Sequence, residues 1–439
     1  MPPPDELARL VRAAQAELRL PSVAARAVVR GETALDLAVG VADAASAREA
    51  TTDDQYRIGS ITKTFTAAAV LELVEQRRLA LDDPLGRHVR EVGDRPLTIR
   101  RLLSHASGLQ REPVGAVWET LEFPSMEELL AQLDEAEQVL EPATGWHYSN
   151  LAFALLGVLV TRVAGVPYEQ FVRERLLDPL GLGRTTWERA EPAARGYFVD
   201  PYADVLRPEA ELGRLEGVSA AGDLWSTVGD LCRWGAALAA REPMHAVQIM
   251  ADPDRWLLAW GLGLELHRRG ERILYGHEGA MPGFLASLVC SREEDVQVSV
   301  LTNASTPADG VAELALSLAE RAIELHPRAQ APWRAGGEPP PEIAELLGSW
   351  WSEGEEFVFR WREERLEASA RRAPARVKPS VFAADGPGRY RVVSGRERGE
   401  LLEVVRDERG TVVKLVWATY PFTREPRLFG PGTGRRGSG

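Results

Sequence analysis

A serine and a lysine three residues apart, Ser60 and Lys63, are the pair in this sequence best suited to chemistry. The stretch 56–60 (Tyr-Arg-Ile-Gly-Ser) predicts a tight glycine turn that delivers Ser60 to the N-terminus of a helix. Residues three apart on a helix share a face, so the amine of Lys63 can reach the hydroxyl of Ser60. The free N–H groups at the start of the helix can also stabilise an oxyanion. This arrangement predicts an activated serine nucleophile.

Lysine is rare in this chain, which makes its presence beside a serine informative. The sequence has three lysines, Lys63, Lys378 and Lys414, against a large excess of arginine. Both side chains carry a positive charge, but only lysine can lose its proton in a protein and act as a base. Lys63 therefore suggests that a removable proton matters. The alternative interpretation is an ordinary solvated start of a helix.

A second candidate segment contains Tyr148, Ser149 and Asn150 and lies just before an apolar helical stretch. Residues two apart in an extended segment point the same way, so Tyr148 and Asn150 can face one cleft together. A tyrosine hydroxyl near a lysine ammonium can shuttle protons, and an asparagine both donates and accepts hydrogen bonds. The alternative is structural, with Asn150 as a helix N-cap and Tyr148 as a core aromatic.

A third candidate segment, His277-Glu278-Gly279-Ala280, ends a predicted strand. A glycine in a strand often marks the close approach of another backbone or of a ligand. The N–H of Ala280 is therefore predicted to be a second oxyanion donor beside that of Ser60. His277 would line the same side as a hydrogen-bonding group, although a histidine at a strand end is often only a surface residue.

In order and spacing, the three segments resemble the three motifs of serine β-lactamases and penicillin-binding proteins. The tyrosine in the second motif and the His-x-Gly third motif are similar to the class C β-lactamase-related branch, which contains esterases, D-amino-acid peptidases and amidases. Connecting phrases such as 98–109, 178–182 and 221–227 also match, so the resemblance covers roughly residues 5–325.

The resemblance implies a serine hydrolase that cleaves esters or small amides through an acyl-enzyme on Ser60, with Lys63 and Tyr148 as general base and acid. It also implies a substrate-binding role for four further residues: Asn150, His277, Gly279 and Ala280. Whether the base is Lys63, the Tyr148 phenolate or both in turn stays open at this point.

The third motif departs from the lactamase pattern. Lactamases and cell-wall peptidases usually carry a lysine there that holds a substrate carboxylate, whereas this chain has His277 and Glu278. A largely neutral imidazole and a carboxylate would bind an anionic β-lactam or a D-Ala-D-Ala terminus poorly. Strand alternation can turn Glu278 away from the cleft; if it faces inward, it favours an amine-bearing substrate.

Two alternatives to the esterase interpretation follow. One is a D-stereospecific peptidase or amidase, or a weak β-lactamase, on the same catalytic residues. The other is a non-catalytic binding or scaffold protein of the same fold. The intact set of three motifs argues against the second alternative.

The elements that would position these segments are strands at both ends of the first 325 residues and helices between them. The predicted strands cover residues 22–30, 34–41, 260–267, 273–277, 284–291 and 296–302. The longer predicted helices cover residues 5–18, 151–163, 168–177 and 310–325. This order predicts an α+β protein with a β-lactamase-like fold, in which an antiparallel sheet built from both termini is flanked by a helical region. A short buried helix at 98–105 is predicted to hold His105 as a satisfied core histidine.

A stretch rich in Pro, Gly and Ala separates this region from a second one of different character. We expect a β-lactamase-like hydrolase domain at 5–328, a linker at 329–341, a small all-β domain at 342–429 and a disordered tail at 430–439. Strands of the small domain are predicted at 356–361, 365–370, 389–393, 401–405 and 412–420. Trp350, Trp351, Trp361 and Trp417 are predicted to fill its core. The domain is expected to be barrel-like and resembles the lipocalin-like domains appended to some members of the family.

The charge and composition of the chain limit the classes of partner and the location that we expect for this protein. A net charge of -13 argues against nucleic acid or an anionic membrane as the main partner. The cysteines, Cys232 and Cys290, lie in apolar surroundings that favour buried thiols over a disulfide. The N-terminus has no basic and apolar leader pattern, and no apolar run approaches the ~20 residues of a membrane span. We therefore expect a cytoplasmic protein.

No metal or organic cofactor is expected, because no His/Cys/Asp cluster has ligand spacing and no Gly-rich phosphate loop is present. The expected partner is a small ester, an amide or a short peptide. The sequence does not specify the oligomeric state.

Overall fold

The computed structural model describes residues 5–329, 332–374 and 376–427. These residues divide into two units, one ending at Arg328 and the other starting at Ala329. The predicted tail at 430–439 lies outside the described residues.

The strands of the first unit are, in chain order, β1 (Ser22–Val29), β2 (Glu32–Asp43), β3 (Arg48–Glu49), β4 (Tyr56–Arg57), β5 (Tyr197–Val199), β6 (Leu206–Pro208), β7 (Trp225–Ser226), β8 (Ile249–Met250), β9 (Leu258–Trp260), β10 (Glu265–Arg269), β11 (Arg272–Met281), β12 (Phe284–Ser291) and β13 (Val296–Thr302). Nine of them form one antiparallel sheet in the order β3-β2-β1-β13-β12-β11-β10-β9-β8. Near the middle of this sheet β1 pairs with β13, with Val23 opposite Thr302. The sheet is thus built from both ends of the unit, and the predicted fold class is confirmed.

The helices of the first unit are α1 (Asp5–Glu17), α2 (Thr62–Glu75), α3 (Ile99–Leu103), α4 (Val117–Thr120), α5 (Met126–Ala131), α6 (Asn150–Ala164), α7 (Tyr168–Val172), α8 (Ser219–Gly222), α9 (Val228–Ala239) and α10 (Ala308–Leu325). A π-helical segment, Arg173–Leu177, continues α7.

The sheet separates two hydrophobic cores. Helices α1 and α10 cover one face, and their side chains join Val289 of β12 in one cluster. Helices α2, α6 and α9 lie on the other face, where Leu288 of the same strand joins Phe65 and Leu155. Leu288 and Val289 are neighbours in sequence but enter different cores, because successive side chains of a strand point to opposite faces.

Helix α6 carries an almost continuous run of apolar residues because it is buried; every residue from Leu151 to Val160 is inaccessible or nearly so. Among the described residues, no single helix is long and apolar enough to cross a membrane; α6 and the helix after it reach that length only as a pair bent by 79°. Cys232 and Cys290 are both buried and unpaired, as expected.

Two strand predictions of the first unit differ from the structure by a break or by more than two residues at one end. The predicted strand 260–267 is split into β9 and β10, because Gly263 adopts a left-handed φ of 69° and packs against Ala67 of α2. Strand β11 is longer than the predicted 273–277 and continues to Met281. Its extension carries the third candidate segment beyond Gly276, the last residue of β11 that pairs with β10.

The second unit contains a short helix, α11 (Pro341–Ala344), and the strands β14 (Gly348–Ser352), β15 (Glu355–Arg362), β16 (Arg365–Ala370), β17 (Ser380–Ala384), β18 (Arg389–Ser394), β19 (Leu401–Arg406), β20 (Val412–Trp417) and β21 (Tyr420–Phe422). These eight strands form one antiparallel sheet in sequence order. Trp351 of β14 exchanges backbone hydrogen bonds of 2.7 and 3.0 Å with Thr423, just after β21. The sheet is therefore nearly closed, and the predicted barrel-like architecture is confirmed.

Sequence patterns missed β14 and β17 and merged β20 with β21. The chain turns between the last two strands at Ala418 and Thr419, which both have positive φ, and neither residue is a typical turn former. Trp350 and Trp417 lie in the core of this unit, as predicted, whereas Trp351 and Trp361 are only partly buried, so the prediction was wrong for these two residues. The likeness to lipocalin domains stays a prediction.

Candidate active site

Ser60 lies in a single 3₁₀ turn, Gly59–Ile61, that leads directly into α2. The turn is anchored on its N-terminal side by β4, which pairs with β7, and by the fully buried Ile58. Gly59 has a positive φ of 49°, which suits glycine. Ser60 itself is partly exposed, so its hydroxyl is presented by a rigid and otherwise buried segment.

Lys63 is wholly buried beneath Ser60. Its Nζ lies 3.0 Å from Oγ of Ser60 and 2.6 Å from the carbonyl oxygen of Ala221, to which it donates. Burial lowers the pKa of Lys63 well below that of an ordinary lysine, and the more distant carboxylates of Glu112 and Glu265 only partly oppose this shift. The amine next to the serine is therefore easily deprotonated.

The second segment is organised by Ser149, which caps α6. Its hydroxyl accepts the N–H of Ala152 at 3.0 Å and donates to the carbonyl oxygen of Gln110 at 2.7 Å. Asn150 is thus not the N-cap that the structural alternative assigned to it. Its side-chain amide instead donates to Oε1 of Glu112 at 2.7 Å.

Tyr148 packs among other rings close to Lys63. Its ring stacks on His105 at a centroid distance of 4.3 Å and meets Trp260 edge-on at 5.9 Å. Nζ of Lys63 lies 4.9 Å from the centre of the Tyr148 ring. Burial raises the pKa of Tyr148, and a hydrogen bond to Ser60 opposes this only in part. Tyr148 is therefore a protonated phenol at neutral pH.

His105 has a larger part in the site than the sequence suggested. It is fully buried with a positive φ of 55°, and its Nδ1 accepts the N–H of Ser149 at 3.0 Å. Its Nε2 has no partner among the described residues, so the prediction of a satisfied core histidine was wrong in that respect. With its bond to Ser149 and its stacking on Tyr148, His105 holds the second segment in place. The stretch 98–109, one of the connecting phrases of the family resemblance, was the sequence signal that could have revealed this role of His105.

Two glycines bring the third segment against the nucleophile turn. A β-carbon on Gly59 would lie 2.7 Å from the backbone nitrogen of Ala280, and a β-carbon on Gly279 would overlap the carbonyl group of Ile58. Only glycine allows this approach of two backbones. It places the backbone of Ala280 beside that of Ser60.

His277 is not a surface residue, since only 2% of it is exposed. Its Nδ1 donates to the carbonyl oxygen of Glu278 at 2.5 Å, while its Nε2 has no partner in the described part of the chain. Burial lowers the pKa of His277, and the carboxylate of Glu265, 3.5 Å from Nδ1, opposes this shift. The imidazole is therefore predominantly neutral at pH 7.

Two cavities meet at Ser60, and both are also lined by Arg111 and Ala280. The first, of about 290 Å³, contains Tyr148, His277 and Gly279. The second, of about 410 Å³, contains Glu112 and Asn150. Tyr148 and Asn150 thus lie on two sides of the serine, whereas Lys63 lies below it and lines neither cavity.

Sequence patterns did not reveal a cluster of Glu265, His267 and Glu278 in the lining of the first cavity. The side-chain ligand atoms of these residues all lie within 4.8 Å of one another. The cluster escaped notice because its members come from two neighbouring strands and their separation in sequence matches no known ligand spacing. Arg111 and Glu112 were also missed.

The chain belongs to the Beta-lactamase family, whose profile matches residues 7–323. Residues 339–424 match a second family, described as Domain of unknown function (DUF7586).

Three known proteins show how far the likeness extends. Esterase EstB of Burkholderia gladioli is 35% identical over 206 residues, which are 43% of this chain and 52% of the esterase. The structure of D-amino acid amidase from Ochrobactrum anthropi SV3 is similar with a TM-score of 0.63 and 26% identity, covering 73% of this chain and 99% of the amidase. The octameric penicillin-binding protein homologue from Pyrococcus abyssi has a TM-score of 0.64 at 22% identity, covers 95% of this chain and 99% of that one, and shows a common fold alone. The chain spans about half the length of the curated relatives it matches.

Proposed function

We propose that this chain is a serine hydrolase that cleaves esters or small amides through an acyl-enzyme on Ser60. The observation that carries the proposal is the contact of 3.0 Å between Oγ of Ser60 and a buried lysine amine of lowered pKa. A neutral amine accepts the proton of a serine hydroxyl, which a solvated lysine ammonium does not. The membership of the Beta-lactamase family supports the same reaction class.

In the first step, Oγ of Ser60 attacks the substrate carbonyl carbon and its proton moves to Nζ of Lys63. The carbonyl oxygen of Ala221 accepts an N–H of Lys63, which turns the lone pair of the amine toward Ser60. The negative charge that develops on the substrate oxygen is stabilised by the N–H groups of Ser60 and Ala280, whose backbones lie side by side.

The bond to the leaving group then breaks, and Tyr148 supplies the proton that the leaving group needs. The raised pKa of Tyr148 keeps its hydroxyl protonated, and this hydroxyl contacts Ser60. Lys63 returns its proton to Tyr148, and water attacks the acyl-enzyme by the reverse sequence of proton transfers. These pKa shifts favour Lys63 over a Tyr148 phenolate as the base.

The substrate-binding residues lie on either side of the serine. Gly279 and Ala280 offer the edge of β11 to an extended substrate, with the neutral His277 behind it. Asn150 contributes its carboxamide from the second cavity. The acyl group and the leaving group therefore have separate spaces.

Hydrolysis of small D-amino-acid amides is a second candidate on the same residues. It is favoured by the similarity to D-amino acid amidase, which extends over 73% of this chain.

Labelling with a fluorophosphonate followed by intact-protein mass measurement tests the proposal. We expect one adduct on the wild type and none on Ser60→Ala. Esters, D-aminoacyl amides and a chromogenic cephalosporin would then be compared as substrates of the wild type. A wild type that neither forms the adduct nor turns over any of these substrates would overturn the proposal.

A further inference from the structure

Glu265, His267 and Glu278 project from the same face of the sheet. Glu265 and His267 are alternate residues of β10, and Glu265 lies opposite Gly276, two residues before Glu278 in β11. Alternate residues of a strand, and residues directly opposite across an antiparallel pair, share a face. The three side chains consequently converge, with Nε2 of His267 3.1 Å from Oε2 of Glu265.

The cluster contains two carboxylates but one nearby positive charge. Burial lowers the pKa of His267, but its hydrogen bond to Glu265 and the charge of that carboxylate outweigh burial and raise this pKa, so His267 pairs with Glu265. Burial raises the pKa of Glu278 to about 7, and the carboxylate of Glu265 adds to this shift. Burial also raises the pKa of Glu265, but the neighbouring His277 and His267 outweigh it and the net shift is downward. Arg269, further along β10, is held by Glu313 and Glu320.

The Glu278 carboxylate accepts no hydrogen bond from any residue in the described ranges. A partly buried carboxylate without a protein donor is less well solvated than one in water, so the site is suited to a ligand that brings positive charge and hydrogen-bond donors.

The cluster shares its cavity with the nucleophile. The same cavity of about 290 Å³ is lined by Ser60, Tyr148 and Glu278. His277, which is almost fully buried and whose Nε2 has no partner in the described part of the chain, also lines it. The cation of this cavity, Arg111, pairs with Glu112 and lies 4.9 Å from the centre of the Tyr148 ring. In the cluster itself, two carboxylates face the single charge of His267.

We propose that Glu265, His267 and Glu278 form a subsite for a substrate ammonium group, so that the preferred substrates are esters or amides with an amine remote from the scissile bond. The proposal rests on the proposed function, because it names the substrate class of that same site. The ammonium donates to both carboxylates, and the rest of the substrate follows the edge of β11 from Glu278 to Ala280 and Ser60. The third segment thus selects a positively charged substrate group, whereas a lysine in the third motif holds a negatively charged substrate carboxylate.

A pair of matched esters tests the subsite. The two esters differ only at the end of the acyl chain, which carries a primary ammonium in one and a methyl group in the other. We expect the wild type to favour the ammonium ester by about tenfold or more in kcat/KM, the range expected for a charge-assisted hydrogen bond. In Glu278→Gln this ratio should fall about tenfold, mainly through KM. Glu271→Gln removes an exposed carboxylate from the turn between β10 and β11 and should leave the ratio unchanged.

Binding to an inactive protein separates this proposal from the hydrolase proposal. Calorimetry on Ser60→Ala should show tighter binding of the ammonium ester than of the neutral ester, and the difference should vanish in Ser60→Ala/Glu278→Gln. Equal binding of the two esters to Ser60→Ala would overturn the subsite even if hydrolysis is observed. Tight binding of ZnCl₂ or MnCl₂ to the wild type but not to Glu278→Gln, with no preference between the esters, would show a metal site in its place.

Discussion

Gly59 and Ala280 lie so close together that a β-carbon on Gly59 would come within 2.7 Å of the backbone nitrogen of Ala280. The two residues are more than 200 positions apart in the chain, and their contact joins the serine turn to strand β11 of the sheet. The two proposed oxyanion donors, the N–H groups of Ser60 and Ala280, are neighbours because of this contact. The geometry of the site therefore depends on a residue without a side chain.

Gly59→Ala should reduce turnover by on the order of 100-fold, because displacing a catalytic group by about 1 Å has that effect. Both the left-handed backbone of Gly59 and the contact with Ala280 oppose the added methyl group. The measurement is kcat/KM with a simple ester, together with the melting temperature.

Gly31→Ala is the matched control for that substitution. Gly31 also has a positive φ, of 80°, but an added β-carbon would meet nothing within 4 Å. The substitution Gly31→Ala should lower the free energy of unfolding by about 1–2 kcal/mol through backbone strain and leave turnover intact. Equal activity losses in the two variants would show that strain, rather than the approach to Ala280, matters at Gly59.

Lys63→Arg should lower kcat by about 10²–10⁴-fold, the usual contribution of a general base. Arginine keeps the positive charge but cannot be deprotonated, so it cannot take the proton of Ser60. Lys378→Arg, at an exposed position of the second unit, is the control and should behave like the wild type. A Lys63→Arg variant with half the wild-type rate would disprove the role of this lysine as a base.

The pH dependence of kcat/KM should show an acidic limb that belongs to Lys63. Burial lowers the pKa of this lysine, so its amine is neutral above the lowered pKa and becomes protonated as the pH falls through it. Activity should therefore rise with pH and level off well below the pH at which an ordinary lysine titrates.

Because burial raises the pKa of Glu278 to about 7, the pH profile of Glu278→Gln is the control for this assignment. Loss of the limb in that variant would assign it to Glu278 instead.

Tyr148→Phe should lower the rate by about 10²–10⁴-fold while the fold stays intact. The ring keeps its stacking on His105 and its contact with Trp260, and only the hydroxyl that reaches Ser60 is lost. Fluorophosphonate labelling of Ser60 and rates with esters of good and poor leaving groups would be measured, and poor leaving groups should suffer more. Tyr202→Phe, at a residue that is 97% exposed, serves as the control. A uniform loss across leaving groups would argue against proton donation by Tyr148.

Much of the fold was accessible from local patterns. Apolar periodicity located the long helices α1, α6 and α10, because each buries one or more faces in a core. Predictions failed at bends inside apolar stretches, as at Gly263 between β9 and β10 or at Ala418 and Thr419 in the second unit. There the tertiary contacts override weak local preferences.

The sequence by itself determined the residue types of the site, their order and the short-range pairing of Ser60 with Lys63, since helical geometry dictates what lies three residues away. Only the tertiary structure decided that Lys63 is buried, because desolvation depends on every group packed around the amine. It alone brought Ala280 to the serine turn and assembled Glu265, His267 and Glu278 from two strands. These contacts join residues from different elements, and strand register, not sequence spacing, sets which of them meet.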